Sequence, residues 1–205
     1  MEILKKLVVL ILLFGMQFVK AQDQKTIQEA FSKSYTFEGN KKYTEAIEAL
    51  KMLNAPENYP VQLRLGWLYY ANKKYTESIM AYTKASSLMP ASIEALQGLI
   101  NPLAAQSKWD DLERNYLTIL KIDPKNSLTN FRLGQIYYNR KEYAKASNYF
   151  SISLNLYPFD YDSMLMSGWN YYFLGKYSEA KELFSRVLLY SPTDTSAKER
   201  LGLIK

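Results

Sequence analysis

The sequence predicts an all-α fold assembled from repeated helical hairpins. Three observations predict it. Gly66, Gly134, Gly168 and Gly202 fall on one 34-residue period, with the first step doubled. Pro90, Pro124, Pro158 and Pro192 follow the same step without a gap. Within a unit, small and apolar residues recur at spacings of three and four, which gathers side chains on one face of a helix. Two more columns keep the phase: Tyr75, Trp109, Tyr143 and Tyr177, then Tyr82, Tyr116, Phe150 and Phe184.

The stretch 127–160 shows what each column does. Leu133, Gly134 and Tyr137 share one face of a first helix. Gly134 has no side chain, so a neighbouring helix can approach it closely. A turn at Arg140-Lys141-Glu142 leads to Tyr143. Ala146, Phe150 and Ser153 then line the inner face of a second helix, with Ala146 expected towards Gly134 and Phe150 filling the space beside it. Pro158 stops that helix, because it supplies no N–H and clashes with a continuing turn. Asp160 is placed to cap the next helix, as are Ser92, Asn126 and Asp194 in the same column.

A unit of this length with these columns resembles the tetratricopeptide repeat (TPR), a helix–turn–helix. The resemblance covers residues 27–205. It implies a right-handed superhelical solenoid with repeats at 27–58, 59–92, 93–126, 127–160 and 161–194, and a capping helix at 195–205. No single unit buries its apolar face alone, so the units are expected to stack into one domain, 22–205.

Two units depart from the pattern. In the first, Ser34 stands in the Gly column, and the step from Ala46 to Ser78 is 32, so the loop carrying Pro56 and Pro60 is short. Tyr43, Ala46, Leu50 and Leu53 keep the second-helix columns. In the third, Ile100 stands in the Gly column, Leu112 in the small column, and Pro102 inside the first helix. That proline denies the carbonyl of Gly98 its helical donor. The kink is read either as tolerated and compensated by Leu112 or as a deliberate bend.

The first segment reads as an address. Lys5 and Lys6 precede an apolar run from Leu7 to Phe14, and Val19-Lys20-Ala21 offers a small residue at a cleavage position. This is the order of a secretory signal peptide, 1–21, with cleavage before Gln22; an uncleaved anchor helix is the alternative. No later stretch resembles a membrane span. Export to a bacterial periplasm or cell surface is the expected localisation. Hydrophobic residues make up 48% and charged residues 22%, ordinary for a globular domain. The net charge is +6, and loss of 1–21 leaves 6 − 2 = +4. That is too mild to argue for nucleic acid.

With no Cys and no His in the chain, thiol nucleophiles, imidazole bases and the commonest transition-metal ligands are missing. The closest carboxylate pairs, Asp110 with Asp111 and Asp160 with Asp162, read as helix-start residues rather than a general acid and base. No phosphate-cradling glycine loop occurs. The chain is therefore read as a non-enzyme without cofactor or metal.

Binding is expected on the concave face, which first helices line in the repeats it resembles. The expected contact residues are Arg64, Trp67, Tyr70, Asn101, Phe131, Arg132, Tyr138, Trp169 and Tyr172. Around the small, polar middle unit, Trp67 and Tyr70 on one side and Phe131 and Tyr138 on the other are expected to bound a recess. Arg64, Arg132 and Arg200 share one column in alternate units. Such a face suits a peptide with apolar anchors and an occasional carboxylate. The Lys/Asn/Arg clamp that grips chaperone tails in some relatives is not carried over, because Phe31, Tyr35, Leu63 and Trp67 occupy its columns. The expected function is an exported scaffold or adaptor that binds a protein or peptide within an envelope assembly. A carbohydrate binder or a homo-oligomer through the same face is the alternative, and a nucleic-acid-binding helical repeat a remote one.

Overall fold

The computed structural model describes residues 24–204, and the signal-peptide reading of 1–21 lies outside the described residues. Among these residues there are eleven helices and no strand. They are α1 (24–39), α2 (Tyr43–Lys51), α3 (Tyr59–Ala71), α4 (Tyr75–Leu88), α5 (Ile93–Ala105), α6 (Trp109–Ile122), α7 (Ser127–Asn139), α8 (Tyr143–Leu156), α9 (Tyr161–Phe173), α10 (Tyr177–Tyr190) and α11 (Thr195–Leu203). The described residues divide into two compact units, the first ending at Lys108 and the second beginning at Trp109.

Within a hairpin, the turn is a Schellman motif. In α3 the N–H of Lys74 donates to Tyr69 O and that of Lys73 to Tyr70 O, which satisfies two carbonyls the helix leaves open. The same pair of bonds recurs after α1, α5, α7 and α9. Each motif holds one residue left-handed: Lys41, Lys73, Ser107, Lys141 and Gly175 have φ of 59°, 59°, 55°, 62° and 73°. Only one of the five is a glycine, so four L-residues carry this strain.

Between hairpins, the proline column works through a turn. The N–H of Ser92 donates to Met89 O around Pro90, and Asp160 and Asp194 repeat the bond around Pro158 and Pro192. The side chains of Asn126, Asp160 and Asp194 then accept from Thr129 N, Ser163 N and Ala197 N. Asn58 does the same for Val61 N at the start of α3, where Pro60 sits in the first turn and its missing N–H costs nothing. Ser92 departs from the expected cap. Its hydroxyl makes no capping bond and instead meets Tyr59 Oη at 2.9 Å.

Packing within hairpins places a ring on a glycine. Tyr82 covers Gly66, Phe150 covers Gly134 and Phe184 covers Gly168, where an added Cβ would lie 2.7, 2.5 and 2.9 Å from the ring. Phe150 thus lies on Gly134 itself, not beside it. Ser78 Oγ donates to Gly66 O at 2.7 Å. Gly202 has no such partner within reach.

In the first unit, Ala46, Ile47, Leu50, Val61, Leu65 and Leu68 form the buried centre shared by α2 and α3. In the second, Met164, Leu183, Phe184, Val187 and Ala197 join α9, α10 and α11. Each fully buried Leu, Val or Phe contributes about 2 kcal/mol. Pro102 is buried inside α5, and Leu112 is buried on α6. Ser34 is fully buried and accepts from Arg64 Nε at 3.2 Å, so the departure from glycine serves a polar contact.

Candidate functional site

In the first unit, α1, α3 and α5 surround a recess of roughly 300 Å³. Phe31 and Tyr35 come from α1, Leu63 and Trp67 from α3, and Glu94 and Gly98 from α5. Helical spacing explains the set: Phe31 and Tyr35 are four apart, as are Leu63 and Trp67, so each pair shares one face. Trp67 is 43% exposed and Tyr35 56%, which packing alone does not require.

Arg64 is not a free cation of this recess. Only 9% exposed, it donates through Nη2 to Glu38 at 2.5 Å and lies 3.9 Å from the Tyr35 ring centre. Trp67 Nε1 donates to the other oxygen of Glu38. Burial pushes the Glu38 pKa up, but the bonds from Arg64 and Trp67 and the charge of Arg64 outweigh it, leaving the carboxyl below its ordinary value. Glu94 is exposed, accepts from Tyr59 Oη at 3.1 Å and, among the described residues, forms no ion pair with Lys or Arg. Tyr70 extends the surface, 6.0 Å from Trp67 and 5.9 Å from Tyr75 between ring centres. Asn101 is exposed on α5.

In the second unit, aromatic rings gather around Phe173. Tyr143 stacks on it at 5.1 Å and Trp169 at 6.0 Å, while Tyr138 and Tyr172 meet it edge-on at 6.0 and 5.6 Å. Phe173 is 45% exposed and Tyr177, which touches Tyr172, is 51% exposed. Arg200 from α11 lies over Trp169 at 4.0 Å and Tyr172 at 5.1 Å. Trp169 is only half-buried but is held on both sides, with Nε1 donating to Ser196 Oγ at 3.0 Å and its ring edge-on to buried Phe184. Phe131 tilts on buried Phe150 at 5.8 Å, and Arg132 is exposed with a bond to Gln135.

The structure therefore brings Tyr138, Trp169 and Tyr172 together and joins Trp67 to Tyr70 and Arg64. Phe173 and Glu38 carry more of the geometry than their sequence positions suggested. The spacing of four from Trp169 to Phe173 is a usable signal. Glu38 offered none, because its partners lie on another helix.

Three of the four carboxylates in the two pairs have partners in the fold. Asp110 lies 3.8 Å from Arg140, Asp111 binds Arg114, and Asp160 caps α9. Among the described residues no group of His, Cys, Asp or Glu could hold a metal, and no helix is long and apolar enough to cross a membrane.

Two family models, each described as tetratricopeptide repeat, match the chain, one at residues 59–92 and the other at residues 162–194. The chain carries tetratricopeptide repeats. No curated protein sequence matches it. Among solved structures, a tetratricopeptide-repeat protein from Parabacteroides merdae is similar at a TM-score of 0.73 and 22% identity, covering 88% of this chain and 72% of that one. MamA is similar at 0.69 and 18%, covering 89% and 97%. YrrB, described as a TPR protein with an unusual peptide-binding site, is similar at 0.67 and 14%, covering 86% and 96%. These likenesses confirm the fold, an all-α tetratricopeptide array. Tetratricopeptide arrays are in general non-catalytic scaffolds for protein–protein interaction, and this chain has that architecture.

Proposed function

We propose that this tetratricopeptide protein is an exported, non-catalytic adaptor that holds an extended peptide or a helix of a partner protein on its first-helix faces, within a bacterial envelope assembly. The observation that carries the reading is the aromatic surface presented to solvent by Trp67 in one unit and by Phe173 in the other, at positions the core does not use. Large, stiff rings lose little conformational entropy on binding and supply most of the energy at protein interfaces. Export rests on the order Lys5-Lys6, apolar run, Val19-Lys20-Ala21.

Crosslinking of the tagged chain in cells, followed by mass spectrometry, tests the adaptor reading, with Trp67→Ala and Phe173→Ala as controls. One envelope protein captured by the wild type and lost in both variants supports it. Capture of the chain alone replaces it by self-assembly. Fractionation with N-terminal sequencing tests export: Gln22 as the first residue of a periplasmic or surface form is expected, and a cytoplasmic full-length chain would exclude it.

A further inference from the structure

We infer that the recess of the first unit accepts an apolar side chain flanked by a Lys or Arg, carried on an extended segment of the partner. This rests on the adaptor reading and specifies its ligand. The walls set the first half of the preference: Phe31, Tyr35, Leu63 and Trp67 present carbon and ring surface, which favours an apolar anchor.

Charge sets the second half. A row of arginines in the sequence suggests a carboxylate ligand, but the guanidinium of Arg64 is committed. Its Nε donates to Ser34, its Nη2 to Glu38, and its Cζ lies 3.9 Å from the Tyr35 ring centre. With Arg64 and Glu38 cancelling, Glu94 is, among the described residues, the charge on the recess without an ionic partner, accepting from the neutral Tyr59 hydroxyl. An incoming carboxylate would be repelled by Glu94, whereas a cation beside the anchor would pair with it and could also lie over an exposed ring.

Fluorescence anisotropy tests this with labelled Gly/Ser peptides that share a central Phe and differ only in the next residue, Lys, Ser or Glu. The wild-type chain is expected to bind the Lys peptide about fivefold more tightly than the Glu peptide at low salt. Glu94→Gln should reduce that ratio to about twofold or less, and Trp67→Ala should weaken all three peptides. Equal or tighter binding of the Glu peptide, a ratio unchanged in Glu94→Gln, or no binding of any peptide would overturn the inference. If a partner crosslinked in cells is nevertheless lost in Trp67→Ala, the adaptor reading stands and only its ligand chemistry fails.

Discussion

The ring of Tyr82 rests against Gly98, where an added Cβ would come within 2.2 Å of ring atom Cε1. The same ring covers Gly66 from the other helix of its hairpin. Tyr82 therefore joins α4 to both α3 and α5, and neither glycine can gain a methyl group without moving a ring that is 6% exposed. Gly98→Ala gains about 1 kcal/mol of helix propensity but overpacks a filled site. A net loss of about 2 kcal/mol is expected. Thermal or urea unfolding checks it, and in a Tyr82→Leu background the same substitution should cost less, because the flat ring is gone.

The left-handed turn residues offer a second test. Lys141 has φ of 62° and Gly175 73° in equivalent turns. The left-handed region costs an L-residue about 1–2 kcal/mol, partly offset because glycine loses more freedom on folding. Lys141→Gly should raise stability by about 0.5 kcal/mol. Gly175→Ala should lower it by about 1 kcal/mol. Nothing lies within 4 Å of a Cβ at Gly175, so the loss would report backbone strain alone. Paired denaturant titrations resolve both signs.

The repeat was legible because each periodic column answers a local demand. A ring needs a glycine beneath it at Gly66, Gly134 and Gly168, and a second helix must stop before Pro90, Pro124 and Pro158. What stayed hidden depends on contacts between helices. Gly98 lies off the glycine column, and only the approach of α5 to Tyr82 gives it a role. Four of the five left-handed turns were invisible because Lys and Ser occupy them. The exposure of Trp67 could be anticipated from its place beside the packing columns. The holding of Trp169 by Ser196, Arg200 and Phe184 could not, since all three partners lie on other helices, Phe184 on α10 and the other two on α11. Arg64 reads as a solvated cation until Glu38, 26 residues earlier, is found against it.

That pair carries a pH signature. The Glu38 carboxyl lies below its ordinary value of 4.5 in the folded chain, despite burial that opposes this. A depressed folded-state pKa adds stability that is present above the unfolded value and is lost as pH falls through the folded one. Glu38→Gln should therefore melt below the wild type at neutral pH, by about 1–2 kcal/mol. The gap should close as the pH drops below about 4.5. Melting curves of both proteins from neutral to acid pH check this. A gap independent of pH would mean that the carboxylate charge contributes nothing.

Phe173 separates binding from folding better than Trp169 does. Trp169 touches the core through Phe184 and is bonded to Ser196, so its truncation removes buried contacts as well as any ligand surface. Phe173 is 45% exposed and meets other rings mainly on the outside of the fold. Phe173→Ala should cost about 1 kcal/mol of stability, the scale of lost ring–ring contacts. If the ring anchors a partner, the same change should weaken binding by about 2 kcal/mol, close to thirtyfold. Unfolding and binding titrations on one preparation compare the two. A stability loss without a binding loss would assign the aromatic cluster to the fold and return the partner surface to Trp67 alone.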